Sequence, residues 1–116
     1  MSAPSATFDR FDVLVVPFPF TDKQASKRRP ALVLSSAAFN RNAGHSVMAM
    51  ITSAEHSAWP NDVPIRDLQA AGLPSECVVR MKLFTLDHRL VLQKAGMLSR
   101  RDRDAVGKAL GTLFKS

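Results

Sequence analysis

Two short apolar runs, Val13–Val16 and Ala31–Leu34, flank the polar stretch Thr21–Arg29 and constrain the fold more than any other feature of the chain. Each has the length and the β-branched or aliphatic content of a buried strand. The connection between them is longer than an ordinary hairpin loop, and loops of that length are commonly functional or mobile. It closes on Lys27-Arg28-Arg29-Pro30. Pro30 fixes its own φ and disfavours the α region for Arg29, so Arg29 is expected to be extended where the second strand begins. An arginine held on a rigid element suits a phosphate, whose oxygens match its planar fork.

Further strands are expected at Ser46–Thr52, Asp62–Ile65, Glu76–Phe84 and Leu90–Lys94, with the first two at Phe11–Val16 and Ala31–Leu34. The run Ser46–Thr52 is continuous and mostly apolar, as a central strand is. Turn-prone stretches separate the strands at Asn40–Gly44, Glu55–Asn61 and Leu86–Arg89, and Asp67–Ala71 forms a candidate helical turn ahead of Gly72. Ser99 followed by Asp102 reads as a helix start, a capping hydroxyl with negative charge in the first turn. Val106, Ala109, Leu110, Leu113 and Phe114 then fall on one helical face, which is expected to pack on a sheet. Gly107 and Gly111 weaken that helix and are expected to admit a close approach to the sheet. Many short strands and a terminal helix imply a mainly β fold, a small and mostly antiparallel barrel or half-barrel.

At 116 residues and 46% hydrophobic content the chain is expected to form one domain with a single core. Residues 1–8 read as a flexible tail and 9–116 as the domain. The tail lacks the basic start and apolar stretch of a signal peptide, and no apolar run approaches the ~20 residues that span a bilayer. The lone Cys77 lies among apolar neighbours and reads as a buried structural thiol. With no internal partner it suits a reducing compartment, so a cytoplasmic protein without membrane contact is expected.

The net charge of +6 favours a polyanionic partner. Lys23, Lys27, Arg28 and Arg29 cluster in or beside the first loop, and Arg100, Arg101 and Arg103 open the last helix. Arg28 reads as a solvated surface charge whatever Arg29 does. Phe18 and Phe20 alternate with prolines at the mouth of the loop, and Trp59 sits in a polar stretch. Exposed rings stack unpaired bases; the competing reading is that Phe18 and Phe20 cover the end of the barrel.

His45, His56 and His88 show no paired spacing, there is no cysteine pair, and no glycine-rich phosphate loop or nucleophile elbow is present. No metal and no cofactor are therefore expected. RNA cleavage requires neither, because the 2′-hydroxyl is an internal nucleophile beside the phosphorus. The protein must remove its proton, stabilise the phosphorane and protonate the leaving 5′-oxygen. Arg29 with Thr52 or Ser53 would make a minimal site of this kind.

The order of Asp12-Val-Leu-Val-Val-Pro-Phe18, Arg29-Pro-Ala-Leu-Val-Leu-Ser35, Met50-Ile-Thr-Ser53, Val78-Val-Arg80, Phe84-Thr-Leu-Asp87 and Lys94-Ala-Gly-Met-Leu98 resembles the MazF/PemK family of toxin endoribonucleases. The resemblance covers roughly residues 9 to 114. It implies an SH3-like barrel of about six strands with a C-terminal helix, shared with the CcdB-type toxins, and a homodimer. It implies a sequence-selective mRNA interferase that cuts single-stranded RNA to a 2′,3′-cyclic phosphate and a 5′-hydroxyl. It also implies a cognate antitoxin whose acidic, flexible segment occupies the RNA groove.

On the same resemblance Arg29 and Thr52 meet in one catalytic pocket with Ser53 adjacent, and Arg80 matches an arginine that some members carry. Lys23, Lys27, Arg28, Arg80, Phe18, Phe20, Trp59 and His56 are the candidate RNA-binding residues. Three departures stand out. Phe11 replaces a usual glycine and is expected to alter a turn. Lys82 stands where some members have an acidic residue, and no histidine precedes Arg29 in the loop. Either Arg29 and Thr52 suffice, or Asp22, Glu55 or His56 takes the proton; the competing reading of His56, and the one its loop position favours, is a surface histidine, and His45 and His88 read as structural or exposed. The competing functions are an RNA-binding module without catalysis and a CcdB-like gyrase poison. The ending Leu113-Phe-Lys-Ser116 lacks the aromatic-Gly-aliphatic tip of the latter.

Overall fold

The structure is a computed structural model and describes residues 7–19, 27–56 and 58–116. The expected loop residues Phe20, Asp22 and Lys23 lie outside the described residues, as do residues 1–6 of the tail. Six strands run Asp12–Phe18 (β1), Lys27–Val33 (β2), His45–Ser53 (β3), Val63–Pro64 (β4), Cys77–Asp87 (β5) and Gln93–Met97 (β6). They form one sheet in the order β4-β5-β3-β2-β1-β6, and every neighbouring pair is antiparallel. β4 and β6 end the sheet without pairing to each other, which makes it the expected half-barrel with a C-terminal helix.

The apolar runs are continuous because the central strands are covered on both faces. Val13, Leu32, Ala49, Ile51, Val79 and Met81 form one core, closed by Leu98, Val106 and Ala109. Leu14, Val16, Ala31, Val33, Met48 and Leu86 form a second cluster on the other face, with Phe8 over it. Each fully buried Val, Leu or Ile contributes roughly 1.5–3 kcal/mol over leaving it exposed. Phe8 was expected in the tail, yet it is 9% exposed and meets the His88 ring edge-on at 4.9 Å. The folded part therefore includes Phe8, because the second cluster needs a lid.

Several boundaries differ from expectation. β2 starts at Lys27 rather than Ala31, because residues 27–30 pair with Phe18 to Val15 of β1. Leu90 belongs to a 3₁₀ turn, His88–Leu90, and the last strand is displaced to Gln93–Met97. The stretch around Asn40 is a helix, Ala37–Ala43 (α1), capped by the Ser36 hydroxyl and ended by Gly44 at φ 66°. Its composition is turn-like. The helix is held by long-range bonds: the Asn40 amide donates to the carbonyls of Phe8 and Ser35 at 2.7 and 3.1 Å. Phe11, expected to open the first strand, is a turn residue at φ 75°, a backbone conformation that favours glycine.

The short helix Leu68–Ala71 (α2) and the terminal helix Arg100–Leu113 (α3) appear where expected. The Ser99 hydroxyl accepts from the Asp102 amide, and the buried Asp102 carboxylate accepts from the amides of Arg66 and Asp67 at 2.9 Å each. This clamp ties the start of α3 to the chain between β4 and α2. Val106 and Ala109 pack into the core, but Leu113 and Phe114 are 41% and 70% exposed, so the apolar face outruns the sheet beneath it. Gly107 and Gly111 face open space. The close approach occurs instead between α2 and β6, where a Cβ on Gly96 would lie 2.4 Å from the Ala70 carbonyl oxygen.

Candidate active site

β2 pairs with β3 only from Ala31 to Val33. Below Ala31 the chain carries Pro30, which has no N–H to donate, and β2 stays with β1 alone. β3 continues past Met50 with β5 as its partner, and the register between them shifts there so that Met81 and Lys82 are extra residues on β5. Such bulges re-aim side chains beside sites. Between the diverging strands opens a cleft of about 180 Å³ lined by Phe18, Arg29, Met50, Ile51, Thr52, His56, Arg80 and Lys82.

The alternation of the strands explains this lining. Phe18 follows Leu14 and Val16 on the same face of β1, and Arg29 precedes Ala31 and Val33 on the same face of β2. Thr52 follows Met48 and Met50 on β3, and Arg80 and Lys82 precede Phe84 and Leu86 on β5. One face of the sheet is thus apolar at one end and cationic at the other.

Thr52 is 8% exposed, and its Oγ1 lies 2.6 Å from Nδ1 of His56, which the turn after β3 brings back over the strand end. The Arg29 guanidinium sits 5.7 Å from the centre of the Phe18 ring. Among the described residues no carboxylate pairs with Arg29, and no acidic side chain lines the cleft. Arg80 is held by Asp62, from Nε to Oδ1 at 3.1 Å and from Nη2 to Oδ2 at 2.9 Å. Those hydrogen bonds to a carboxylate push the Arg80 guanidinium further into its charged range.

Asp62 also accepts from the Trp59 amide at 3.1 Å, which fixes the Trp59–Asp62 turn beside the cleft. The Trp59 ring is 42% exposed, with Lys82 Nζ 5.1 Å and Arg80 Cζ 6.0 Å from its centre. The arrangement offers fixed cations for phosphate oxygens, a hydroxyl donor, an imidazole and an exposed ring for a base.

The structure therefore brings Arg29, Thr52, His56, Phe18 and Arg80 together, with Trp59 at the rim. It does not bring Ser53 to them: its hydroxyl accepts from the Glu55 amide at 3.2 Å, and it lines a neighbouring pocket with Glu55, Ser75 and Glu76. Lys27 is exposed on the face of Arg29, whereas Arg28 falls on the opposite face by alternation. Lys82 and Asp62 are the residues that sequence reasoning missed. Lys82 carried a signal, its spacing of two from Arg80. Asp62 carried none, since 18 residues separate it from Arg80.

Of the remaining histidines, His88 shares a 2.7 Å hydrogen bond with Ser46, and His45 lies 3.9 Å from Asp87. Cys77 is only half-buried, and burial pushes its thiol up. Among the described residues no three His, Cys, Asp or Glu side chains gather as a metal site, and no helix is long and apolar enough to cross a membrane.

The family described as PemK-like, MazF-like toxin of type II toxin–antitoxin system matches residues 9–114. Among solved structures, MazF from Deinococcus radiodurans superposes with a TM-score of 0.72 at 26% identity, over 95% of this chain and 98% of that one. A MazE–MazF complex from the same organism gives 0.72 at 26%, over 92% and 95%. An endoribonuclease in complex with its cognate antitoxin from a Mycobacterial species gives 0.71 at 18%, over 92% of each chain, and at that identity speaks to the fold. No curated protein matches the chain.

Proposed function

Because the chain belongs to the PemK-like, MazF-like toxins of type II toxin–antitoxin systems, we propose that it is a metal-independent endoribonuclease that cuts single-stranded RNA by attack of the 2′-hydroxyl. The observation that carries this reading is that Arg29, which pairs with no carboxylate among the described residues, and a buried Thr52 line one cationic cleft. The guanidinium stabilises the charge of the phosphorane, and the threonine hydroxyl donates to a non-bridging phosphate oxygen. The products are a 2′,3′-cyclic phosphate and a 5′-hydroxyl. Arg80 and Lys82 extend the phosphate track, with Lys27 on the face of Arg29, while Phe18 and Trp59 stack unpaired bases; Lys23 and Phe20 take the same two roles on the sequence alone.

The protein works as a cytoplasmic homodimer whose cognate antitoxin lays an acidic, flexible segment in the same cleft. The antitoxin-bound relative from Deinococcus radiodurans supports a partner of that kind, and a net charge of +6 favours both ligands over neutral ones.

The test is incubation with a long single-stranded RNA in EDTA, beside Arg29→Ala, with the cut ends mapped. Discrete cuts bearing 5′-hydroxyls that vanish in Arg29→Ala are the expected result. Intact RNA bound by a folded protein would instead assign an RNA-binding module.

A further inference from the structure

We infer that His56 is the general base of the site, held in place by Thr52. The assignment rests on the nuclease reading above and supplies the proton acceptor which that reading lacks. Of the side chains lining the cleft among the described residues, Arg29 and Arg80 keep their protons, the Lys82 ammonium offers no lone pair, and Phe18, Met50 and Ile51 carry no base. Asp62 is occupied by two hydrogen bonds from Arg80. Glu55 lies toward the neighbouring pocket with Ser53. That leaves the imidazole, whose ring carries a nitrogen lone pair able to accept a proton.

The 2.6 Å contact between Thr52 Oγ1 and His56 Nδ1 gives the pair a division of labour. With the proton on Nδ1, the ring donates to Oγ1 and leaves the Nε2 lone pair available. The Thr52 hydroxyl hydrogen is then free for a phosphate oxygen. In the cyclising step Nε2 takes the proton of the 2′-hydroxyl as that oxygen bonds to phosphorus. The P–O5′ bond breaks with its electron pair on O5′, which takes a proton from water, and the imidazolium returns its proton to water. The charged side chains that line the cleft with the ring are Arg29 from β2 and Arg80 and Lys82 from β5; Asp62 pairs with Arg80, and Glu55 precedes the ring and lines the neighbouring pocket.

The test compares the purified full chain with Arg29→Ala, His56→Ala and His56→Gln on a single-stranded RNA in EDTA. His56→Ala is expected to cut about 10²–10⁴-fold more slowly even at saturating RNA. Added imidazole should restore part of the rate, and the rise of rate with pH expected of the wild type should be absent from the variant. His56→Gln keeps a side chain able to hydrogen-bond Thr52, and it should be as slow as the alanine variant. Wild-type rates in either His56 variant, beside an inactive Arg29→Ala, would overturn the assignment and leave the nuclease standing. So would a slow His56→Ala that imidazole does not rescue and whose pH profile is unchanged. A wild-type protein that cuts nothing removes both.

Discussion

Arg80 and Asp62 form a bidentate pair at 2.9 and 3.1 Å, and that pair sets how much positive charge the cleft offers to a ligand. Arg80 lines the cleft, but its fork is already matched by a carboxylate. A phosphate that reaches this position must share Arg80 with Asp62. Asp62→Asn keeps an acceptor for the Trp59 amide and removes the charge. Single-stranded RNA should then bind more tightly, and the slope of log K against log salt should steepen by up to about 0.7, the value of one further phosphate contact. Arg80→Ala added to Asp62→Asn should take that gain away. Fluorescence titrations at several salt concentrations measure both, and an unchanged slope in Asp62→Asn would show that Arg80 does not meet phosphate.

The same chemical change at two glycines should have opposite signs. Gly111 lies in α3 with open space where a Cβ would go, so Gly111→Ala gains helix propensity and should stabilise the protein by about 0.8–1 kcal/mol. Gly96 lies in β6 against α2, where a Cβ would come within 2.4 Å of a backbone carbonyl oxygen of Ala70. Gly96→Ala must move α2 or the strand and should cost about 1–3 kcal/mol. Urea unfolding of the two variants decides the matter; a stabilised Gly96→Ala would contradict the packing of α2 on β6.

The burial of the central strands was readable from their apolar runs, whereas the meeting of Arg29 and Thr52 in one pocket was legible only through the family resemblance. Val13–Val16 is too continuous for a strand with one wet face, so both its faces had to be covered, and the cleft residues share the face of Leu14 and Val16. Pro30 alone gave Arg29 its extended backbone, though not its place in a pocket. Other features depend on partners distant in sequence. Asn40 is helical because Phe8 lies above it, Arg80 is gripped by a residue 18 positions away, and Lys82 belongs to a bulge that no local pattern announces. Leu113 and Phe114 continue a helical face, but periodicity does not say where the sheet beneath them stops.

His88 makes the fold sensitive to mild acid. Burial holds the ring below the ordinary histidine range, with His45 adding to the effect and Asp87 opposing it. Folding therefore favours the neutral ring. Its contribution is fully present above the unfolded value of about 6.5 and is lost as pH falls through the lower folded value. The urea midpoint should drop between about pH 7 and about pH 5 in the wild type and stay flatter in His88→Gln. The Asp87 carboxyl is held well below the usual carboxylate range by Arg89, so its contribution disappears only in stronger acid and does not blur this window. A wild-type midpoint that is level from pH 7 to 5 would refute the role of His88.

Trp59 joins the geometry of the rim to a direct optical signal. It is the one tryptophan of the chain, it is 42% exposed, and Lys82 and Arg80 approach the ring it would offer to a base. A base stacked there would find phosphate-binding cations within reach of its own backbone, so stacking and charge would act on one nucleotide. Trp59→Ala should weaken binding by roughly 1–3 kcal/mol, the worth of one stacked base, while the salt slope stays as it was because no cation is removed. Wild-type fluorescence should be quenched as RNA binds. If the ring served only to shield the Arg80–Asp62 pair, its loss would instead alter the salt slope and leave wild-type fluorescence unquenched. The two observables together therefore separate a base-stacking residue from a cover over an ion pair.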